Sequence, residues 1–137
     1  MAKAGQRRAL HVYLRQYTLT SAPMPDLEIF PNPAPHRNYL IKHVCPEFTS
    51  VCPKTGQPDF GTIELEYVAD RSCLELKSLK VYYFGFRQEG IYYEAVVNRI
   101  LDELSEACRP KWMRITGHFN VRGGISSIVI AETGQRP

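Results

Sequence analysis

The sequence predicts an α+β fold in which one antiparallel sheet carries a helix on one face. Two observations predict it. Residues 62–68 alternate between apolar and polar side chains, as a half-buried strand does, and residues 90–110 carry apolar side chains at helical spacing. Further strand-like segments give the order strand, strand, helix, strand, strand, which is typical of an α+β protein.

Length, composition and charge indicate one globular domain without a membrane or nucleic-acid partner. The chain has 137 residues, of which 44% are hydrophobic and 23% charged, as in ordinary globular proteins. Its net charge of +3 is too small to indicate a nucleic-acid surface. The N-terminus lacks the apolar core of a secretory signal, and no apolar stretch approaches the roughly 20 residues that cross a bilayer. We therefore expect a cytoplasmic protein.

The cysteines and histidines predict neither disulfides nor a metal site. In a reducing compartment, four cysteines do not imply disulfide pairs. Cys45 and Cys52 are too far apart for the C-x-x-C clip of zinc sites, and the histidines form no H-x-x-x-H pair.

Residues 1–37 are predicted to form an N-terminal segment and a proline-rich arm, and residues 38–137 the catalytic domain. The first twenty residues are polar and basic, and we expect them to be loosely attached. The arm contains five prolines, which forbid a helix. We interpret it as an extended stretch that anchors on the domain through Leu27, Ile29 and Phe30.

Four segments of the domain are predicted to be strands. In residues 62–68, Ile63, Leu65 and Tyr67 point to one face and polar side chains to the other. The short connection "VADRS" predicts that this strand pairs with residues 73–86 in an antiparallel hairpin. "WMRITGHFN" and "ISSIVIAE", joined through "VRGG", give the other two strands. Such a sheet leaves its edges open, so we expect an oligomer that joins the sheets of several subunits.

The predicted helix lies between the two pairs of strands. Val96, Ile100 and Leu104 fall on one apolar stripe, to which Tyr92 is also assigned. Glu94 lies in the first turn, where a negative charge suits the helix dipole, and a proline ends the helix.

The stretch "VCPKTGQPDF" places a thiol and a carboxylate seven positions apart. Cys52 and Asp59 are separated by two prolines and a glycine, which predict a stiff loop. Loops present functional side chains to ligands, whereas they are poor places to bury a structural cysteine. The pair therefore predicts a nucleophile and an acid. The alternative is that Cys52 is a small hydrophobic residue and Asp59 a turn residue.

Four segments resemble the QueF family. "CPEFTSVCPKTGQPDF", residues 45–60, is similar to its first signature, and "ELKSLKVY", residues 75–82, to its second, with Val81 in place of the usual Leu or Tyr. "YEAVVNRILDEL" and "RGGI" stand where the family has its helix and its last turn. The likeness covers about residues 38–125.

The resemblance implies the tunnelling fold, which is that of GTP cyclohydrolase, and the reduction of a nitrile. Members reduce 7-cyano-7-deazaguanine to 7-aminomethyl-7-deazaguanine with two equivalents of NADPH, in the biosynthesis of the tRNA nucleoside queuosine. The expected partners are therefore a small deazapurine and NADPH. Members of this length assemble as a decamer of two pentameric rings, whose pockets are shared between neighbouring subunits.

The chemistry of a nitrile fits the roles that the resemblance implies for Cys52 and Asp59. A thiolate adds to the nitrile carbon and gives a covalent thioimide, which divides a hard step into easier ones. The nitrogen then needs a proton, for which Asp59 is the candidate acid. Lys54 is the cation nearby in the sequence that would favour the thiolate, and we interpret Cys45 as structural.

Five residues are predicted to bind the substrate. Glu94 would accept the two N–H groups of the guanine-like edge, although it could serve the helix start alone. By the resemblance, Leu74, Glu75 and Leu76 line the base pocket. Tyr93 stands where the family has histidine, and a phenol with a pKa near ~10 is a poor proton relay. We therefore predict that Tyr93 binds the substrate, with simple packing of its ring as the alternative.

Lys77, Lys80, Arg122 and Gly123 are predicted to bind NADPH, because cations suit its phosphates and glycine permits close backbone approach. The chain has no Gly-x-Gly-x-x-Gly loop, which argues against a Rossmann domain and not against the cofactor. If residues 73–86 form a regular strand, Lys77 and Lys80 lie on opposite faces. The alternative is that these are solvated surface lysines.

Three other functions fit parts of the pattern. An amidinotransferase that adds ammonia to a cyano-deazaguanine in tRNA would share the core but lack "ELKSLK". A GTP-cyclohydrolase-like protein that binds pterins or purines would recognise the same donor edge, yet a zinc hydrolase of that kind needs ligand spacings that are absent here. A non-catalytic binding protein would need neither Cys52 nor Asp59.

Overall fold

The computed structural model describes residues 27–137; the predicted loosely attached segment and the first prolines of the arm lie outside this range. The elements, in chain order, are β1 (Ile29–Pro31), β2 (Leu40–Val51), β3 (Pro58–Val68), β4 (Ser72–Leu74), α1 (Leu76–Phe84), α2 (Tyr93–Cys108), β5 (Trp112–Arg122) and β6 (Ile125–Gly134). The main sheet has four antiparallel strands in the order β2-β3-β5-β6, while β1 and β4 form a separate pair. Within residues 27–137, neither helix is long and apolar enough to span a bilayer.

β3 is an inner strand of the main sheet, and its predicted alternation is confirmed. Ile63, Leu65 and Tyr67 are at most 1% exposed and join the core below the helices. Thr62, on the opposite face, is only half-buried. The expected α+β class is therefore correct, with an antiparallel sheet and its helices on one face.

The strand that pairs with β3 on its outer side is β2, which the sequence analysis did not assign. β2 pairs with β3 from Leu40 to Val51, with a break in register between Cys45 and Phe48. Pro46 lies in that break, where its missing N–H removes no regular ladder bond. The bulge interrupts the alternation of side chains, which explains why the pattern did not reveal a strand.

The prediction of a long strand over residues 73–86 is wrong, because most of this segment is helix α1. Glu75 begins the helix as its N-cap, and its carboxylate accepts from the backbone N–H groups of Lys77 at 2.8 Å and Ser78 at 2.7 Å. The large side chains that point into the core are spaced as on a helix: Leu79, Tyr82, Tyr83 and Phe86. Lys77 and Lys80 therefore lie three residues apart on one helix face, not on opposite faces of a strand.

α2 is the predicted amphipathic helix and packs across β5 and β6. Val96, Ile100 and Leu104 are fully buried, as expected, but Tyr92 is the residue before the helix and remains 44% exposed. Gly117 on β5 lets the helix approach closely, since a Cβ there would come within 2.8 Å of the Val97 side chain.

The arm is held by backbone pairing more than by its side chains. β1 pairs with β4, and the Glu75 N–H donates to the Glu28 carbonyl at 2.9 Å. Leu27 packs on the core as predicted, whereas Ile29 and Phe30 are 48% and 45% exposed. The expected apolar anchoring is therefore correct for Leu27 only.

We expect Glu75→Ala to lower the melting temperature by ~2–5 °C, because helix α1 loses its N-cap. The bonds from the N–H groups of Ser78 and Lys77 lower the pKa of Glu75 below its ordinary 4.5. Its stabilising effect is therefore present above pH 4.5 and is lost as the pH falls through the lowered pKa. The melting temperatures of the wild type and the variant, measured by thermal denaturation, should therefore become equal at acid pH.

Lys77→Ala is the matched control, because Lys77 is exposed in the first turn of the same helix and its side chain caps nothing. A loss of stability in Lys77→Ala equal to that in Glu75→Ala would contradict the capping role.

Candidate active site

The β2–β3 hairpin brings Cys52 and Asp59 to one cavity. Cys52 directly follows β2, and Asp59 is the second residue of β3, opposite Ser50. Asp59 thus lies in a strand and not in the loop predicted from the sequence. The turn is closed by two bonds of 2.9 Å, from the Cys52 N–H to the Gln57 carbonyl and from the Gly56 N–H to the Cys52 carbonyl.

The cavity has a volume of about 340 Å³. Its chemically functional lining comes mainly from the hairpin, from the start of α2 and from the end of β5, and includes Cys52, Thr55, Asp59, Tyr93, Glu94 and Arg122. Within residues 27–137, no three His, Cys, Asp or Glu side chains group as a metal site requires. The cavity is therefore lined by residues that carry a thiol, two carboxylates, two phenols, a guanidinium and a threonine hydroxyl.

Asp59 is the buried acceptor at the centre of this group. Its side chain is 5% exposed and forms an ion pair with Arg122. Tyr93 donates its hydroxyl proton to the same oxygen, Oδ1, over 3.1 Å. A buried carboxylate without partners would be strongly destabilising, so these two donors are what allow Asp59 to be buried here.

Arg122 also ties the end of β5 to the hairpin turn. Its Nη2 donates to the Thr55 hydroxyl at 2.9 Å and to the Gln57 side-chain oxygen at 2.7 Å. Three side chains of the hairpin region therefore converge on one guanidinium. This position differs from the one expected of a residue reserved for cofactor phosphates.

Cys52 is the thiol that lines this cavity, and its surroundings favour ionisation. The Thr55 hydroxyl lowers the pKa of Cys52 most, followed by the backbone N–H groups of Thr55 and Lys54, and the Arg122 cation acts in the same direction. Lys54 thus contributes its amide, while the cation that acts on the thiol is Arg122. Burial raises the pKa of Cys45 instead, so the two partly exposed thiols differ in reactivity.

The start of α2 reaches the cavity through a segment that pairs with the end of β2. The Val51 N–H donates to the Glu89 carbonyl at 3.0 Å, and the Ile91 N–H donates to the Val51 carbonyl at 3.1 Å. Tyr93 is then stacked on Phe119, with ring centroids 3.8 Å apart. Glu94 also lines the cavity, and within residues 27–137 no hydrogen bond or ion pair engages its carboxylate.

A buried ion cluster holds this segment in place. The Arg99 side chain, 4% exposed, contacts the carboxylates of Glu89 and Glu103. Tyr82 of α1 donates its hydroxyl proton to Glu103 over 2.5 Å. The cluster therefore connects both helices to the segment that runs beside Cys52.

The remaining predicted residues lie elsewhere in the same chain. Leu74 is 2% exposed in the core, and Glu75 caps α1. Leu76 and Lys80 line a second cavity of about 470 Å³, together with Cys45 and neighbouring residues of β2. Lys77, which is exposed, lines neither cavity. Gly123 lies in the β5–β6 turn next to Arg122, with a positive φ of 59°.

Sequence reasoning missed three residues of the Cys52 site. Thr55 and Gln57 are the partners of Arg122, and Phe119 supports the Tyr93 ring. Thr55 and Gln57 stand inside the quoted motif, so polar side chains in a stiff turn were the available signal. Nothing in the local sequence indicated that Phe119 would meet Tyr93.

The antiparallel sheet is covered by two helices, and a thiol and a buried carboxylate lie at the end of one hairpin. These features define a small α+β protein whose pocket contains both groups. A sequence profile described as QueF-like protein matches residues 58–137, more than half of the chain. The chain belongs to the QueF family.

Two relatives cover most of the chain. A protein of Nitrosococcus oceani is 55% identical over 117 residues, which are 85% of this chain and 91% of the relative. A protein of Anaeromyxobacter sp. (strain Fw109-5) is 54% identical over 87% of this chain and 98% of the relative. Both are named NADPH-dependent 7-cyano-7-deazaguanine reductase.

A solved structure shares the fold. The crystal structure of an archaeosine synthase QueF-Like in the apo form matches with a TM-score of 0.63 and covers 73% of this chain and 96% of that chain. Its sequence identity is 23%, so the likeness concerns the fold alone.

We expect Cys52 to react with iodoacetamide faster than Cys45 at neutral pH, because the pKa of Cys52 is lowered and that of Cys45 is raised. Cys73 and Cys108 are buried and should react only on unfolding. Peptide mass mapping over time measures the order of alkylation. Fastest modification at Cys45 would contradict the assignment of Cys52 as the reactive thiol.

Proposed function

We propose that this protein is an NADPH-dependent reductase that converts the nitrile of 7-cyano-7-deazaguanine to a primary amine, in the biosynthesis of queuosine. One observation carries the proposal: Cys52 and Asp59 face one cavity of about 340 Å³. They do so in a chain that is 54–55% identical to relatives named for this reaction. A thiol and a proton source are what the addition to a nitrile requires.

The first chemical step is addition of the Cys52 thiolate to the nitrile carbon. A C–S bond forms, one π bond of the nitrile breaks, and the nitrogen takes up one proton to give a thioimide. Asp59 takes up the proton that leaves the Cys52 thiol and passes it to the nitrogen. Arg122 and Tyr93, which both contact its Oδ1, hold the carboxyl group in position. The Thr55 hydroxyl, the nearby backbone N–H groups and the Arg122 cation lower the pKa of Cys52 and so favour the thiolate that the step requires.

Substrate recognition falls to the start of α2. The Glu94 carboxylate lines the cavity and can accept two N–H groups from the guanine-like edge of a deazapurine. The Tyr93 hydroxyl lies beside Asp59, where it binds and does not relay protons, since burial and the bond to Asp59 raise its pKa further. Leu74, Glu75 and Leu76 would complete the pocket from another subunit.

The lysines of α1 suit the phosphate groups of the cofactor. Lys77 and Lys80 put two exposed ammonium groups on one helix face, which suits the phosphates of NADPH, and Lys80 borders the apolar cavity of about 470 Å³. When bound, NADPH supplies the hydrides, two equivalents for the four-electron reduction of nitrile to amine. Gly123, without a side chain beside the Cys52 cavity, leaves room for a ligand to approach the backbone.

The two cavities of one chain are separated, which favours an assembly with shared sites. Cys45, which lines the second cavity, pairs with Ile63 of β3. Asp59, which lines the first cavity, lies four residues before Ile63 on the same strand. At the usual rise per residue, Asp59 and Ile63 are about 13 Å apart. The lysines of one subunit would therefore serve the Cys52 cavity of a neighbour. We propose a homo-oligomer, with two stacked pentameric rings as the specific form.

The surface near the free edge at β6 suits such an assembly. Ile125, Ile128 and Ile130 are 61–70% exposed, and Ile125 borders the Cys52 cavity. A cytoplasmic location, where thiols stay reduced, would keep Cys52 active, and a small net charge of +3 provides no reason for direct nucleic-acid binding.

The proposed reaction predicts a covalent adduct. Protein mixed with 7-cyano-7-deazaguanine alone should gain the mass of the substrate on Cys52, and added NADPH should be oxidised. Cys52→Ala should lose both signals, while Cys45→Ala, which changes a thiol outside the cavity, should keep both. Asp59→Asn should slow turnover by ~10²–10⁴-fold. Absence of NADPH oxidation by the intact protein would refute the proposed function.

Tyr93→Phe removes one hydroxyl and keeps the ring that stacks on Phe119. We expect substrate binding to weaken by ~0.5–1.5 kcal/mol, the net contribution of one neutral hydrogen bond. The pH–rate profile should keep its shape, because Tyr93 does not carry the proton. Titration calorimetry and turnover across pH test this. Unchanged binding with one ionisation missing from the profile would show that Tyr93 relays protons.

The assembly is tested by multi-angle light scattering at the concentration of the activity assay. We expect a homo-oligomer whose dilution to monomers abolishes turnover. A fully active monomer would be incompatible with sites shared between subunits.

A further inference from the structure

The hydroxyl of Thr55 has its two acceptor positions occupied. Arg122 donates to it from Nη2 at 2.9 Å, and the Gln57 backbone N–H donates at 3.2 Å. A hydroxyl has two lone pairs and one proton, and neither an arginine nor an amide N–H can accept that proton. The proton of Thr55 is therefore the one part of this group that remains to be donated.

Cys52 is the neighbour that can receive it. The two residues are joined by the turn that closes between Cys52 and Gln57, and both line the same cavity. Of the groups around Cys52, the Thr55 side chain lowers the pKa of this thiol most. A donor that points at sulfur stabilises the thiolate more than the thiol, since only the thiolate is charged.

Arg122 determines the direction of that donor. Its guanidinium is planar, and it donates from Nη1 to Asp59 and from Nη2 to both Thr55 and Gln57. The Asp59 side chain is 5% exposed and cannot turn to follow a shifted partner without leaving the core. The acceptor side of Thr55 is thereby fixed, and its proton turns toward Cys52.

Other charged and titratable groups face Cys52 as well. Asp59 comes from β3, Tyr93 and Glu94 from α2, and Arg122 from β5. In the turn itself Lys54 contributes through its backbone N–H, and Glu89, in the segment beside Val51, is paired with Arg99. An experiment on Thr55 leaves all of these charges in place, which is why it isolates the hydroxyl.

We propose that the Thr55 hydroxyl is a catalytic hydrogen-bond donor to the Cys52 sulfur, and that Arg122 is the positioning residue that aims it. The inference rests on the proposed role of Cys52 as nucleophile. It assigns Arg122 to the activation of the thiol and not to cofactor phosphates. Because the donor is neutral and is fixed before substrate arrives, the thiolate is favoured without placing a free cation beside the nitrile.

The test measures the pH midpoint of Cys52 alkylation by iodoacetamide in the full chain, without substrate or NADPH, with peptide mapping to assign each cysteine. The midpoint is needed because the rate at a single pH also reflects the intrinsic nucleophilicity of the thiolate. Thr55→Val removes the hydroxyl at nearly constant shape, and Thr55→Ser retains it. Arg122→Lys keeps the positive charge but loses the fork that aims the hydroxyl.

We expect Thr55→Val to raise the midpoint and to lower the thiolate fraction at neutral pH by about three- to tenfold. Thr55→Ser should keep the wild-type midpoint, and Arg122→Lys should raise the midpoint as Thr55→Val does. A wild-type midpoint in Thr55→Val, or an equal shift in Thr55→Ser, would overturn the role of the hydroxyl. A wild-type midpoint in Arg122→Lys would overturn the positioning role.

The readout separates this inference from the proposed function. Thr55 is exposed in a turn, so its variants should fold even if Arg122→Lys does not, and circular dichroism checks this. A protein that reduces no nitrile but shows the predicted midpoints would refute the reductase proposal and support the donor. A working reductase whose Thr55→Val variant keeps the wild-type midpoint would support the reductase proposal and refute the role of Thr55 as donor.

Discussion

The burial of Arg99 is the constraint on which the arrangement of the site depends. A guanidinium that is 4% exposed requires compensation, and the carboxylates of Glu89 and Glu103 supply it. Removing one partner of such a buried pair costs about 3–5 kcal/mol, against a total stability of about 5–15 kcal/mol for a domain. The segment that contains Glu89 is therefore held firmly, and it pairs by backbone bonds with Val51, the residue before Cys52.

The same constraint fixes the relation between the helices and the cavity. Tyr82 of α1 donates to Glu103 of α2, and the Arg99 guanidinium lies over the Phe86 ring at 5.2 Å. α2 begins at the same cavity, so that Tyr93 and Glu94 line it together with Cys52. A site formed from three separate parts of the chain is thus held by contacts outside the site, as productive geometry requires.

The charged side chains form two separate regions, one around Cys52 and one around α1. Around Cys52, a buried carboxylate, a guanidinium and several N–H donors are matched to one another, which suits an ionised thiol. Around α1, Lys77 and Lys80 are exposed, and Lys80 borders a more apolar cavity. One subunit presents each region at a different place on its surface, and neighbouring subunits would bring the two regions together.

The sequence by itself determined the α+β class, the inner strand β3 and helix α2. It also predicted Cys52 and Asp59 as site residues, and the structure brings both to one cavity. These follow from local signals: a period of two, a period of 3.6, and a turn of prolines and glycine between two reactive side chains. The family resemblance followed from the same local motifs, and the relatives confirm it.

The error over residues 73–86 was also local, because two periods competed in one segment. Leu74 and Leu76 suggested alternation, while Leu79, Tyr82, Tyr83 and Phe86 carry the helical spacing that the core requires. β2 escaped detection because the bulge at Pro46 interrupts its pattern.

Only the tertiary structure decided which distant residues meet at Cys52. Arg122 is 63 positions from Asp59, and Tyr93 is 34 positions from it. No local period encodes such contacts, because they depend on strand order, on register and on where a helix begins relative to a hairpin. The prediction that Arg122 binds cofactor phosphates rested on its charge, and only the packing of β5 beside β3 shows that it lies against the buried carboxylate of Asp59.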